Sequence, residues 1–385
     1  MRKAQRLHGA SSRRAVTRGN AARGAVRVVL LCAAGLVAAT VVLVLGILVF
    51  LLASRGTDGV RQRRRVEALR RADTATVDDG RAGADLPGDV RLDRLQLVGT
   101  HNSYHLRSDA LRLFLIGLVE PGEPEKLRYA HAPLAEQFDG GLRSIELDVR
   151  NRGGRFIVSH VPLVDDRTTV PDFRSALEEI RLWSQRAPDH VPIIVLLELK
   201  DDWTSLDPRL KPFDRAALDR LDALIREVVT PAVLLTPDDV RAGAESLEAA
   251  ILARGWPSLR ETRGRVMFVL HENEEYRRLF IEGNPTLAGR AMFTCAPPGS
   301  PDAGVLILND PVADGAKIRD LVRRGYLVRT RADADLAIDP VQFRAALDSG
   351  AQIVSSDYPP TEPDPATGYR CEFPGGATVR VRPAD

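Results

Sequence analysis

Cysteine is scarce in this 385-residue chain. Three are too few for a disulfide framework, and none stands at metal-ligand spacing from another. Cys32 falls in an apolar segment; Cys295 and Cys371 suit either an exported disulfide or two buried thiols. Net charge is also nearly absent, at +2, but it is unevenly spread. The first 27 residues hold eight Lys/Arg and no acid, which leaves the remainder mildly acidic. A nucleic-acid-binding body is therefore not indicated. Internal repeats are lacking, and so is the Gly-rich first turn of a dinucleotide fold; the turn after the first apolar run reads Gly-Thr-His-Asn.

The largest gap in the charge pattern is the most informative. From Val28 to Ala53 there is no charged residue. As a helix this run would be about 39 Å long, enough to span a bilayer with some tilt. It exceeds the roughly 7–15 apolar residues of a signal-peptide core. Residues 1–27 read as a disordered basic tail, 28–53 as a transmembrane anchor and 54–89 as a juxtamembrane linker. Eight positives before the anchor face seven after it, a thin bias toward an inside N-terminus and an extracytoplasmic domain. The linker's arginines suit anionic lipid head groups.

From Val90 the text alternates between short apolar runs and helical patterns, the signature of an α/β domain. Nine runs, from Leu95–Gly99 to Gln352–Ser355, suggest an irregular (β/α)8 TIM barrel over 90–385, with a helical insertion at 203–264. Two joints break the rhythm. Asn151–Gly154 is too short for a parallel crossover, so a hairpin or bend is expected there. Cys295–Gly304 is rich in Pro and Gly and holds no helix.

Polar groups gather at the ends of these runs. In Ser144-Ile-Glu-Leu-Asp-Val149, Glu146 and Asp148 share one face of a strand, while Ile145, Leu147 and Val149 share the other. Two inward carboxylates are costly unless paired or bound to a cation. A hairpin centred on Gly153 would set Glu146 opposite His160 and Asp148 opposite Val158, a register that a one-residue slip would undo. Glu198 and Lys200 close the nearly continuous apolar run that starts at Val191, either as a buried pair or as a carboxylate ligand and a phosphate-binding ammonium. His101 and Asn102 follow the first strand. His105 and His131 suit hydrogen-bonded core or loop roles. Asn102, Glu146, Asp148 and Glu198 offer only oxygen, which suits Ca2+ ahead of Mg2+ and argues against zinc. Two uncoordinated histidines, His101 and His160, can exchange a proton as base and acid.

This set resembles the Ca2+-dependent phosphoinositide-specific phospholipase C family in its small bacterial form, over about Leu95 to Pro360. The resemblance implies that His101 and His160 are catalytic, and that Asn102, Glu146, Asp148 and Glu198 bind Ca2+. It also likens Arg329-Thr-Arg331-Ala-Asp333 and Ser355-Ser-Asp357-Tyr358 to closing strand motifs. The implied reaction is attack of the inositol 2-hydroxyl on phosphorus. His101, or a ligand such as Glu146, would take the proton, and His160 would protonate the departing diacylglycerol. Lys200 and Arg331 become candidates for substrate contact. The implied partner is a phospholipid substrate in a membrane, met by a monomer. A glycerophosphodiester phosphodiesterase shares the layout, but its first histidine is normally followed by Arg-Gly and its second by Asp, where this chain has Asn102 and Val161. A non-catalytic anchored lipid-binding protein would tolerate loss of both histidines.

Overall fold

The computed structural model describes residues 5–72 and 80–383, in two units, Met1–Ser54 and Arg55–Asp385. The ends of the basic tail and of the chain, and residues 73–79 of the expected linker, lie outside the described residues.

One helix, α1 (Gln5–Arg71), takes in most of the tail, the whole apolar run and the first part of the linker. A disordered tail is the expectation for residues 1–27, and a juxtamembrane linker for 54–89. The chain has no proline before Pro87 and is rich in Ala, Arg and Leu here, so nothing local stops the helix. Most large apolar side chains between Val26 and Leu52 are exposed. The helix is long and apolar enough to cross a membrane.

The second unit is built on twelve strands: β1 (Leu95–Thr100), β2 (Ser144–Arg152), β3 (Arg155–Val158), β4 (Ile193–Leu199), β5 (Leu210–Lys211), β6 (Leu234–Leu235), β7 (Val266–Leu270), β8 (Met292–Thr294), β9 (Val305–Ile307), β10 (Leu327–Arg331), β11 (Ile353–Ser356) and β12 (Val379–Val381). Eight of them run parallel in the order β1-β2-β4-β7-β8-β9-β10-β11 and return to β1. This is the expected irregular barrel. Its seam, β8 to β9, rests on a single bridge between Cys295 and Val305, beside the helix-free connection. All three cysteines are free thiols.

Helices Phe173–Arg186, Arg215–Val229 and Glu274–Ile281 each turn an apolar face inward, burying among others Leu177, Ile180, Trp183, Leu221, Ile225 and Phe280 against the strands. Aspartate or asparagine caps each start: Asp172, Asp214 and Asn273 accept from backbone N–H groups of the first turn. β1 and β2 meet at one point, Gly99 against Ser144. A Cβ on Gly99 would lie 2.8 Å from the Ser144 Cβ, so only glycine lets the two strands approach. The stretch 203–264, expected to be a helical insertion, also supplies strands: β5 pairs with β2, and β6 extends the sheet beside β7. At two residues each, these strands are too short to leave a periodic signal.

Candidate active site

The barrel places the C-terminal ends of β1, β2, β4, β7, β10 and β11 around one polar cluster. On β2 the expected alternation holds: Ile145, Leu147 and Val149 are fully buried in the core, and Glu146 and Asp148 share the opposite face. The parallel register sets Asp148 beside Glu198 on β4. Just past β7, His271 donates its backbone N–H to the Leu197 carbonyl. Ligand atoms of Glu146, Glu198 and His271 all lie within 4.8 Å of one another.

The carboxylates differ in their partners. The Arg329 guanidinium reaches Glu146 at 2.5 Å. Burial would push the Glu146 carboxyl up, but the charges of Arg329 and His101 outweigh it and hold the group ionised. Asp148 has no such partner. Both of its oxygens are buried without a hydrogen bond, and the Lys200 ammonium stands 3.6 Å away while bonding Glu198 at 2.5 Å. Burial, then repulsion from Glu198, raises the Asp148 carboxyl. Two buried oxygens without a hydrogen bond, beside two like charges, are the condition a cation relieves. With Glu146, Glu198 and Asn102 the ligands expected from the sequence offer only oxygen, which fits Ca2+, and the His271 imidazole lies beside them.

Asn102 sits just beyond β1 in a left-handed conformation, φ 44°, which asparagine tolerates better than most residues. Its Nδ2–H donates to the Tyr129 hydroxyl at 3.0 Å, and the Tyr104 hydroxyl donates to its Oδ1 at 3.4 Å. The same turn is stitched to β2, because Ser103 N–H donates to the Glu146 carbonyl and Glu146 N–H to Ser103 Oγ.

The two histidines enter from different kinds of structure. His101 directly continues β1, and its N–H donates to the Ser356 carbonyl. Its Nδ1 lies 2.9 Å from Asp357 and 3.0 Å from an Arg331 Nη. Nδ1 donates to Asp357 in one tautomer of the ring and accepts from Arg331 in the other. That leaves Nε2 free of a hydrogen bond, 3.8 Å from Glu146. Burial and the Arg331 charge lower the His101 pKa against the pull of Asp357.

His160 lies past the hairpin, whose register differs from expectation by one residue. Val149 pairs with Val158 and Arg152 with Arg155. The turn is the two-residue Gly153-Gly154, φ 61° and 87°, rather than one centred on Gly153 alone. Asp148 therefore comes opposite Ser159, whose N–H donates to the Asp148 carbonyl, and His160 faces no strand partner. Hydrogen bonds fix it instead. Arg150 donates to the His160 carbonyl, and Asp165 accepts from His160 Nδ1 at 2.8 Å. Asp165 is itself held by His105 Nε2 at 3.0 Å and Ser108 Oγ at 2.6 Å. Burial works against the charged ring, but the Asp165 bond and the Asp148 and Asp165 charges win and raise the His160 pKa.

All eight residues singled out from the sequence reach this end of the barrel: His101, Asn102, Glu146, Asp148, His160, Glu198, Lys200 and Arg331. Lys200 is committed to Glu198 and Asp148. His105 and His131 take the supporting roles expected; His131 bridges Glu362 and the His101 carbonyl. Four participants went unassigned. Arg329 and Asp357 lay inside the closing motifs. His271 ends an apolar run as the others do and was legible on that pattern. Asp165 sits in an aperiodic loop with no local signal.

A family model described as phosphoinositide phospholipase C, Ca2+-dependent, matches residues 90–158 and 153–383. Among solved structures, the chain is similar to a calcium-dependent phosphoinositol-specific phospholipase C from a Gram-negative bacterium, Pseudomonas sp., in its apo form. The identity is 14%, with 80% of this chain and 99% of that one covered, at a TM-score of 0.55. A structure of that enzyme described as a myoinositol complex gives 15% identity, 80% and 100% coverage and a TM-score of 0.54. A Ca2+-dependent phosphatidylinositol-specific phospholipase C from Streptomyces antibioticus gives 21%, 70% and 95%, and 0.49. No curated protein matches the chain. At these identities the two Pseudomonas structures establish the barrel fold.

Proposed function

The chain belongs to the Ca2+-dependent phosphoinositide phospholipase C family, and on that premise we propose that it cleaves phosphatidylinositol-type phosphodiesters from a membrane-anchored position. The observation that carries this reading is the Asp148 carboxylate, buried without a hydrogen bond beside Glu146 and Glu198, with one histidine–aspartate pair on each flank. The products are diacylglycerol and a cyclic inositol phosphate.

Asn102, Glu146, Asp148 and Glu198 would hold Ca2+, which would supply a Lewis acid for the inositol hydroxyl and the phosphate. His101 Nε2 takes the proton of the 2-hydroxyl as its oxygen bonds to phosphorus. Glu146 is a poorer base, because Arg329 holds it ionised through a short ion pair. The bond from phosphorus to the glycerol oxygen breaks, and that oxygen receives its proton from His160 Nε2. The opposite pKa directions of the two rings suit a neutral base and a protonated acid near pH 7. Lys200 and Arg331 supply positive charge for phosphate or ring hydroxyls.

A lipid substrate is supported by Phe114, Leu118 and Val119, exposed in the connection after β1. α1 is the anchor, with its N-terminus inside, the domain outside and the protein a monomer. Arg61, Arg63 and Arg64 stay exposed for anionic head groups, whereas Arg55, Arg65 and Arg70 are engaged by the domain itself.

Phosphorus NMR of a phosphatidylinositol digest tests the reading. With Ca2+ a cyclic phosphate signal appears together with released diacylglycerol, and chelator suppresses both. Hydrolysis of glycerophosphoinositol with phosphatidylinositol left intact would transfer the chain to the glycerophosphodiester reaction.

A further inference from the structure

The part of α1 that follows the apolar run is occupied residue by residue. Arg55 stands 3.7 Å from Asp166. The Asp58 carboxylate accepts from Arg167 at 2.7 and 3.1 Å. Gln62 grips the backbone of Asp172 twice, its Nε2–H donating to the carbonyl at 2.9 Å and its Oε1 accepting the N–H at 3.0 Å. Arg65 donates to the Thr169 carbonyl and lies 3.6 Å from Glu179. Leu69 packs on the main core, and Arg70 pairs with Glu178 at 2.7 Å. Positions 55, 58, 62, 65 and 69 recur at three and four, so they form one face of the helix. Asp58 and Gln62 are each only 1% exposed.

Four of these contacts land on one segment, residues 166–172, which continues from the dyad of His160 and Asp165. The β2–β3 ladder stops at Val158, and beyond it the loop is tied inward by Arg150, by the Val161–Asp165, His105–Thr168 and Ile157–Asp172 bridges, by Thr169 N–H to the Tyr104 carbonyl and Leu106 N–H to the Arg167 carbonyl, by the Arg112–Asp166 pair and by the bonds to Asp165. On its outer side, Asp166, Arg167, Thr169 and Asp172 are in addition held by α1. Asp166 sits next to the carboxylate that orients the His160 ring, and is buried.

We propose that the Arg55–Leu69 stretch of α1 is a clamp that positions the His160–Asp165 loop for catalysis, so that the anchor helix is a working part of the phosphodiesterase domain and not a tether. Asp58, Gln62 and Arg65 are its positioning residues. They touch neither substrate nor metal ligands. The proposal rests on His160 acting as the acid in the reaction above.

The test uses the full chain on phosphatidylinositol vesicles, with hydrogen exchange measured on the same preparations. Asp58→Arg and Arg167→Asp each set like charges against each other. Each is expected to lower kcat by about tenfold to a hundredfold at unchanged KM, as a small displacement of a catalytic group does. Exchange should quicken over 159–172 while the barrel strands keep their protection. The double variant, with the pair reversed, restores both readouts. Gln62→Ala, a milder change, moves them the same way by less. The clamp is overturned if the single variants leave kcat and loop exchange unaltered, or if exchange quickens and kcat does not fall. Should the unmutated chain release no diacylglycerol, the phospholipase reading fails, while the exchange arm still decides whether α1 holds the loop.

Discussion

His101 and His160 face the same chemistry from unlike supports. The first continues a barrel strand, and its neighbours are a guanidinium and a carboxylate on β10 and just past β11. The second stands on a loop beyond a hairpin, with an aspartate of that same loop as its partner. Both imidazoles share a carboxylate through Nδ1, yet their pKa values move in opposite directions. The difference is what else is near: Arg331 acts on His101, whereas Asp148 adds to Asp165 around His160. One residue type is shifted in two directions by the charges added to the aspartate that each ring holds.

The largest effect should come from removing either ring, and the choice of substrate should tell the two apart. His101→Ala and His160→Ala are each expected to lower turnover of phosphatidylinositol by roughly 10²–10⁴. With an aryl leaving group that departs without protonation, the His160 variant should regain most of its rate and the His101 variant none. Equal recovery of both, read by release of the phenol, would erase the assignment of acid and base.

Next in size, Asp165→Asn removes the hydrogen bond and charge that raise His160. The alkaline limb of kcat/KM against pH should move to lower pH, with a fall in kcat as the loop loosens. Arg331→Met is the opposite probe. It removes a charge that lowers His101, so the acid limb should move to higher pH. The bell narrows from one side in each case; a shift of the same limb in both variants would break the comparison.

The smallest effect is on stability, measured in chelator as the urea midpoint against pH. His160, raised in the folded state, contributes stability that is full below its unfolded pKa near 6.5 and is lost as pH rises through its folded value. His101, lowered in the folded state, has the reverse sign: stability falls as pH drops below about 6.5, where the unfolded ring protonates first. His160→Asn should abolish the alkaline loss, and His101→Asn the acidic one.

The strand ends carrying His101, Glu146, Asp148 and Glu198 were legible because each polar group interrupts an apolar run, and a run of that length has few ways to lie in a sheet. Gly153-Gly154 announced the hairpin, but two glycines also allow more than one turn, so the register came out one residue away. Asp165 and the α1 clamp left no pattern. The first lies in a loop, and the second lies on a helix whose partner residues are about 110 positions further on.

The sequence by itself determined the long apolar span, the barrel and the polar residues at the strand ends. These depend on hydrophobic period, on length and on the chemistry of side chains, which are local properties. Only the tertiary structure decided which histidine is held down and which is held up, because a pKa answers to charges brought together from β2, β10, β11 and the 159–172 loop. It also decided that α1 from Arg55 onward packs on the domain, since a stripe of polar residues on a helix acquires meaning only when its partners are folded against it.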